Sequence, residues 1–95
     1  MSKRFKLGQV VATRGVADLV ADDASFAGFV NDSLGRFIKG DWGDTCGEDA
    51  QMNDLAVKNG DDRILAAYID NNGNKIWIIT EWDHSVTTIL FPDEY

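Results

Sequence analysis

The chain has 95 residues, of which 44% are hydrophobic, and a formal net charge of −7 at pH 7. This length suits one domain spanning residues 1–95 and leaves no room for a second. The only cysteine is Cys46, which excludes an internal disulfide and a CxxC metal site, and no apolar run reaches the length of a membrane span. We therefore expect a soluble, cytoplasmic protein without a membrane partner.

The first half of the chain predicts one strand and two helices. Residues 5–12 read as a short strand, and Thr13 can cap a brief helix that ends near residue 21. Asp23 or Ser25 then opens the clearest helix, which Gly40 ends. Its apolar residues recur at helical spacing: Phe26, Phe29, Val30, Leu34, Phe37 and Ile38.

A third helix is predicted from the capping-box pattern that runs from Thr45 to Glu48, with Gly60 beyond its end. We expect three of its apolar side chains to face inward: Met52, Leu55 and Ala56. In the loop before it, Trp42 is predicted to anchor the chain on the core, and Cys46 is predicted to pack.

The last third predicts a three-stranded antiparallel meander over residues 63–69, 75–82 and 86–91. The Asn72-Gly73 dipeptide is typical of a two-residue type I′ turn, which places Asp70 opposite Lys75 and Tyr68 opposite Trp77. Residues 83–86 are predicted to make the second reversal. The resulting order is β-α-α-α-β-β-β, an α+β domain with helices packed on one face of the sheet.

This pairing predicts apolar side chains on both faces of the sheet. The core face would carry Leu65, Ala67, Ile69, Ile76, Ile78, Ile89 and Phe91, and the other face Ile64, Ala66, Tyr68, Trp77, Ile79 and Leu90. Two interpretations of the second face stay open. A helix, the N-terminal segment or a second copy covers it, or it docks a partner protein.

Charge is distributed unevenly along the chain. Residues 1–14 contain four basic residues and no acid, which leaves −11 on the rest to give the total of −7. Seven acids fall between positions 41 and 62: Asp41, Asp44, Glu48, Asp49, Asp54, Asp61 and Asp62. Such a field disfavours direct binding to nucleic acid and favours a partner with a basic surface.

Patterns that could carry metal or cofactor chemistry are weak. Asp70-x-Asn72-x-Asn74 imitates part of an EF-hand, but its glycine is misplaced and hairpin chemistry explains the same residues. Carboxylates between Asp41 and Asp49 could hold a divalent cation only if they converge. We predict no metal and no cofactor.

Motifs along nearly the whole chain resemble those of a family of small "plasmid-related" bacterial proteins. The resemblance rests on Lys6-Leu-Gly-Gln-Val-Val-Ala-Thr13, Gly40-Asp-Trp-Gly-Asp44, Arg63-Ile-Leu-Ala-Ala-Tyr68, Lys75-Ile-Trp-Ile-Ile-Thr-Glu81 and Ser85-Val-Thr-Thr-Ile-Leu90, continuing to Pro92-Asp-Glu-Tyr95. It implies a protein of plasmids, phages and integrated mobile elements, and it carries no established activity.

The element order also resembles that of RelE/ParE-type toxins and related small ribonucleases, at the level of the fold alone. That resemblance implies an RNA-cleaving site on the sheet, for which the candidates are Arg63, Tyr68, Glu81 and His84. The negative net charge argues against an RNA-cleaving site, because binding RNA requires cationic side chains.

The leading hypothesis is thus a non-enzymatic binding or regulatory protein, such as an anti-defence factor whose carboxylates imitate nucleic-acid phosphates. Its binding residues would be the seven acids together with an apolar patch of Tyr68, Trp77 and Leu90. A homodimer joined through the sheet is a further possibility.

Overall fold

The computed structural model describes residues 5–60 and 62–95 and confirms an α+β fold. Its elements follow the predicted order, with a short C-terminal 3₁₀ turn added. Their bounds are β1 Gln9–Ala12, α1 Arg14–Asp22, α2 Ala24–Ile38, α3 Gly47–Asn59, β2 Ile64–Ile69, β3 Lys75–Thr80, β4 Val86–Leu90 and the 3₁₀ turn Pro92–Glu94.

The four strands form one mixed sheet in the order β1-β4-β3-β2. The three C-terminal strands pair antiparallel as the meander predicted, whereas β1 joins the sheet parallel to β4. A parallel partner requires a long crossover connection. Here the whole chain between Thr13 and Ser85 provides it.

The predicted register of β2 on β3 is wrong by one residue. Tyr68 lies opposite Ile76 instead of Trp77, and Ala67 lies opposite Trp77. Because side chains alternate along a strand, this shift exchanges the two faces of β2 relative to β3.

The turn between β2 and β3 explains the shift. Within this loop only Gly73 has a positive φ, of 85°. The loop is therefore a three-residue turn with glycine at its left-handed position, and not a type I′ turn. The Asp70 carboxylate accepts hydrogen bonds from the backbone N–H groups of Asn72 and Asn74 at 2.9 and 2.8 Å. Asp70 therefore pairs with Asn74 across the turn, and the strands meet one residue earlier than Asn72-Gly73 predicted.

As a result, the core face of the sheet carries a different set of β2 residues than predicted. All its members are buried: Ile64, Ala66, Tyr68, Ile76, Ile78, Thr80, Thr87 and Ile89. The opposite face, which we call the open face, carries Leu65, Ala67, Ile69, Trp77, Ile79, Thr88 and Leu90. Leu65, Ala67 and Ile69 were predicted for the core face, so this part of the prediction is corrected.

The second reversal is tighter than predicted. Thr80 pairs with Thr87 instead of Ile89, a shift of two residues that keeps each side chain on its predicted face. The loop runs from Trp82 to Ser85, and His84 adopts a positive φ of 57° within it. A loop without glycine can take this form because histidine is among the residues that enter the left-handed region more often.

Helices α1 and α2 cover the core face. Val16 of α1 and Phe26 and Phe37 of α2 are fully buried in the hydrophobic cluster. The carboxylate of Asp23 caps α2 by accepting from the backbone N–H of Ser25 at 2.9 Å and that of Phe26 at 3.1 Å, which confirms one of the two predicted starts.

Helix α3 is rotated relative to the prediction. Ala56 and Asn53 face inward, whereas Met52 and Leu55 are 55% and 51% exposed. Its N-cap is Cys46, an exposed residue, because the hydroxyl of Thr45 is engaged elsewhere. Ala56 belongs to the hydrophobic core, whereas Asn53 lies beside the edge of β2, where it meets backbone groups.

The outer edge of β2 is covered by side chains from the segment before it. The Asn53 amide donates to the carbonyl of Leu65 at 2.8 Å and accepts from its N–H at 3.1 Å. The Thr45 hydroxyl accepts from the N–H of Ala67, and Asp44 accepts from that of Ile69. Outward-facing backbone groups of this edge strand are thereby satisfied.

Replacing Asn53 by alanine should destabilise the protein by about 2 kcal/mol, because both Leu65 groups lose their partner at a half-buried site. The free energy of unfolding from urea titration measures the effect. Gln51→Ala is the control, since Gln51 lies exposed on the same helix and its replacement by alanine also gains helix propensity, although less than the replacement of asparagine does. Equal stabilities for the two variants would contradict the role given to Asn53.

Candidate functional site

A groove lies between the N-terminal half of α3 and the open face of the sheet. It consists of two adjoining hollows of about 290 and 260 Å³ that share Asp49 and Leu65. Its apolar floor is Leu65, Ala67 and Trp77, which share one face only in the observed register. We call this surface the α3 groove.

Three carboxylates line the α3 groove. Asp44 and Asp49 belong to the second hollow, and Asp62 lies in the first beside Asp49. Asp44 accepts the N–H of Ile69 at 2.9 Å, and Asp62 accepts the N–H of Arg63 at 2.7 Å. Each keeps oxygen lone pairs free for a ligand, since an ionised carboxylate accepts several hydrogen bonds.

The carboxylates of the groove lack cationic partners within the described part of the chain. Ion pairs within 4.0 Å there join only Arg14 to Asp18 and Arg36 to Asp41, both outside the groove. Two cationic residues, Arg63 and Lys75, also line the α3 groove. The Arg63 guanidinium donates instead to the hydroxyl of Tyr95 at 2.8 Å.

Tyr95 forms an aromatic neighbour for the floor of the groove. Its ring meets that of Trp77 edge to face, with 5.7 Å between centroids. The C-terminal turn that carries Tyr95 is held by Glu94, whose carboxylate accepts from the Thr13 hydroxyl at 2.6 Å and from the N–H of Gly15 at 3.0 Å. Glu94 thus caps α1 from the far end of the chain.

Of the seven predicted acids, the structure brings three into the α3 groove, and a fourth, Glu48, is exposed in the first turn of α3. Asp41 is engaged elsewhere with Arg36 at 2.8 Å, a hydrogen bond that lowers the pKa of its carboxyl. Asp54 accepts the indole N–H of Trp42 at 2.9 Å. Asp61 lies outside the described residues.

The predicted aromatic patch is divided between the two faces. Tyr68 is fully buried on the core face, donates to the carbonyl of Asp41 at 2.8 Å and has its pKa raised by burial. Gly43, with a φ of 62°, lets the loop approach so closely that a Cβ there would lie 2.4 Å from the Tyr68 ring. Leu90 is buried as well, so Trp77 alone of the three contributes to the groove.

The four candidates for RNA cleavage are not assembled into one site. Tyr68 is sequestered in the core, and Arg63 is held by Tyr95. His84 is only 8% exposed and packs edge to face on Phe5 at 5.9 Å. Among the described residues its buried Nε2 atom has no hydrogen-bond partner. Glu81 is exposed and stands apart from Tyr68.

A cation site does not form from the predicted carboxylates. Within residues 5–60 and 62–95, no three histidine, cysteine, aspartate or glutamate side chains are placed to hold a metal ion. Asp41 and Asp44 are drawn apart by their separate partners, Arg36 and Ile69.

Another cavity, of about 510 Å³, lies between α2 and the turn after β2. Two of its three charged groups are already engaged, and the third, Asp32, has no ion pair within the described part of the chain. Arg36 pairs with Asp41 and lies over the Tyr68 ring at 5.3 Å, while Asp70 holds the turn. The α3 groove is smaller but combines an aromatic floor with uncommitted carboxylates, which makes it the better candidate site.

Comparison with known proteins adds no relative: no protein-family model, curated protein or solved structure matches the chain. The resemblance to plasmid-related proteins therefore stays a prediction from the quoted motifs. In the described part of the chain no helix is long and apolar enough to cross a bilayer.

Sequence reasoning missed Asn53, Glu94 and the outward position of Met52. A polar residue three positions before the buried Ala56 was a signal for Asn53, since it places an amide on the inward side of α3. Glu94 gave no local signal, because its partners Thr13 and Gly15 are at the other end of the chain.

The stabilisation that Glu94 provides through its hydrogen bonds should depend on pH. Hydrogen bonds from Thr13, Phe91 and Gly15 lower the pKa of Glu94, so its stabilisation is present above about pH 5, where the unfolded glutamate is also ionised. It is lost as the pH falls through the folded-state value. Wild type should therefore exceed Glu94→Gln in urea midpoint near neutral pH, and the gap should close on acidification.

The matched control is Asp93→Asn, which removes a neighbouring exposed carboxylate. Its urea midpoint should stay close to that of the wild type over the same range of pH, as expected for an exposed surface substitution. A difference in urea midpoint between the wild type and Glu94→Gln that does not change with pH would contradict the stabilising role given to Glu94.

Proposed function

We propose that this chain is a non-enzymatic binding protein of a bacterial mobile element that acts in the cytoplasm. Its partner is a protein with an exposed basic segment, which lies in the α3 groove. The observation that carries this proposal is the position of Trp77 beside Asp44 and Asp49, carboxylates without a cationic partner among the described residues.

The chemistry of the groove suits lysine and arginine side chains. Their aliphatic stems can pack on Leu65 and Trp77, and a cation near the indole gains a further attraction from the ring. Their charged ends can then reach Asp49 and Asp62, where charge-assisted hydrogen bonds are stronger than neutral ones.

The electrostatic field of the whole chain also favours a partner with a basic segment. A net charge of −7, with −11 outside residues 1–14, attracts basic surfaces and repels nucleic acid. Met52, which lines the groove and is 55% exposed, adds an adaptable apolar contact at its rim. Imitation of nucleic-acid phosphates by these carboxylates, as an anti-defence factor would use it, fits this field.

A basic peptide tests the proposal. The peptide Ac-Lys-Val-Lys-Val-Arg-Val-Lys-NH2, labelled with a fluorophore, should bind the wild type, as followed by anisotropy at low salt. The double variant Asp49→Asn, Asp62→Asn should bind about tenfold more weakly, because two exposed charged contacts, each worth up to about 1 kcal/mol, are lost.

The control variant Asp22→Asn, Asp32→Asn removes the same charge from exposed positions on α1 and α2 outside the groove. It should weaken binding less than about threefold, since distant exposed charges are screened. Equal losses in both double variants would show that net charge alone attracts the peptide, and the α3 groove would then not be its site.

A further inference from the structure

The two edge strands of the sheet differ in whether other parts of the described chain cover them. The outer edge of β2 is covered by Asn53, Thr45 and Asp44. β1 forms the other edge, and all four of its residues are exposed. Among the described residues no further strand pairs with β1.

The free backbone groups of β1 can be assigned. Gln9 donates its N–H to Ser85 at 2.9 Å, and Thr13 donates to Ile89 at 3.0 Å. Since alternate residues of a strand direct their backbone groups to opposite sides, Val10 and Ala12 direct theirs away from β4. Both thus offer an N–H and a C=O to an incoming strand.

Side chains do not protect this edge. Natural edge strands are blunted by short length or by charged side chains, proline and bulges, and of these only the short length applies to β1. β1 has the sequence Gln-Val-Val-Ala and pairs with β4 in an unbroken register. Val10 and Val11, on opposite faces, are 41% and 37% exposed, so both faces of an added strand would find an apolar neighbour.

The basic residues around β1 indicate the charge of the partner segment. Residues 1–14, which lead through β1, contain four basic residues and no acid. Lys6 and Arg14 bracket the strand and are exposed. Arg14 pairs with Asp18 at 3.8 Å in solvent and lies between Thr13 and Gly15, which bind the Glu94 carboxylate, so Lys6 is the less compensated of the two cations. A second copy paired antiparallel with Val10 opposite Val10 of its mate would bring Lys6 opposite Arg14 of that mate, a like-charge contact.

We infer that β1 is a docking edge that takes up an extended, acid-flanked segment of a partner protein as a fifth strand. Backbone hydrogen bonds from Val10 and Ala12 would provide affinity, and Lys6 and Arg14 would select carboxylates at the two ends of the segment. This edge lies across the sheet from the α3 groove, so the inference does not depend on the proposed function.

A blocked peptide, Ac-Asp-Glu-Val-Thr-Val-Thr-Val-Glu-Asp-NH2, serves as the ligand in an NMR titration of the full chain. On binding, hydrogen exchange at the amides of Val10 and Ala12 should slow, whereas the Val11 amide, which faces β4, should change little. A peptide with lysine in place of each acid should not bind at the same concentration.

Val10→Pro removes one outward N–H without removing a bond to β4, so the sheet should tolerate it. It should weaken binding about tenfold or more, because the hydrogen bond is lost and the ring obstructs the new strand. Val10→Thr, which keeps the N–H, should bind as the wild type does. Urea unfolding of both variants checks that each is folded.

The variant Lys6→Glu, Arg14→Glu leaves the strand unchanged and should exchange the preference from the acidic to the lysine-flanked peptide. Failure of the wild type to bind the acidic peptide would overturn the inference, as would binding unaffected by Val10→Pro. Self-association through β1 that Val10→Pro abolishes would also overturn it, since the occupant would then be a second copy.

Discussion

The register of β2 on β3 is the constraint on which the rest of the structure depends. It is set locally, where Asp70 accepts the N–H groups of Asn72 and Asn74 and so closes a three-residue turn. That choice sends Ile64, Ala66 and Tyr68 into the core. It also places Leu65 and Ala67 beside Trp77, and this juxtaposition forms the floor of the α3 groove.

Much of the fold follows from local sequence patterns, and the register does not. Helix α2 is predictable because its apolar spacing and the Asp23 cap agree. β2 is apolar on both faces, so its pattern tolerates either register, and Asn72-Gly73 favours a turn that the Asp70 hydrogen bonds overrule. A one-residue ambiguity in the turn thus decided that Tyr68 enters the core instead of sharing a face with Trp77.

The candidate site was predictable only in its charge. Sequence gathers seven acids between positions 41 and 62, but tertiary partners decide their roles. Arg36 and the Trp42 indole engage Asp41 and Asp54, whereas Asp49 has no such partner among the described residues. The same segment covers the outer edge of β2 through Asn53 and Asp44, so a single stretch of chain both protects the sheet and lines the groove.

The most direct test of this account is the pattern of interstrand nuclear Overhauser effects between β2 and β3, measured by NMR on isotope-labelled protein. The account predicts backbone contacts that join Ala67 to Trp77 and Leu65 to Ile79. Contacts from Ala67 to Ile78 and from Leu65 to Thr80 would contradict it. In that register Leu65 and Ala67 would turn to the face opposite Trp77, and the floor of the α3 groove would not exist.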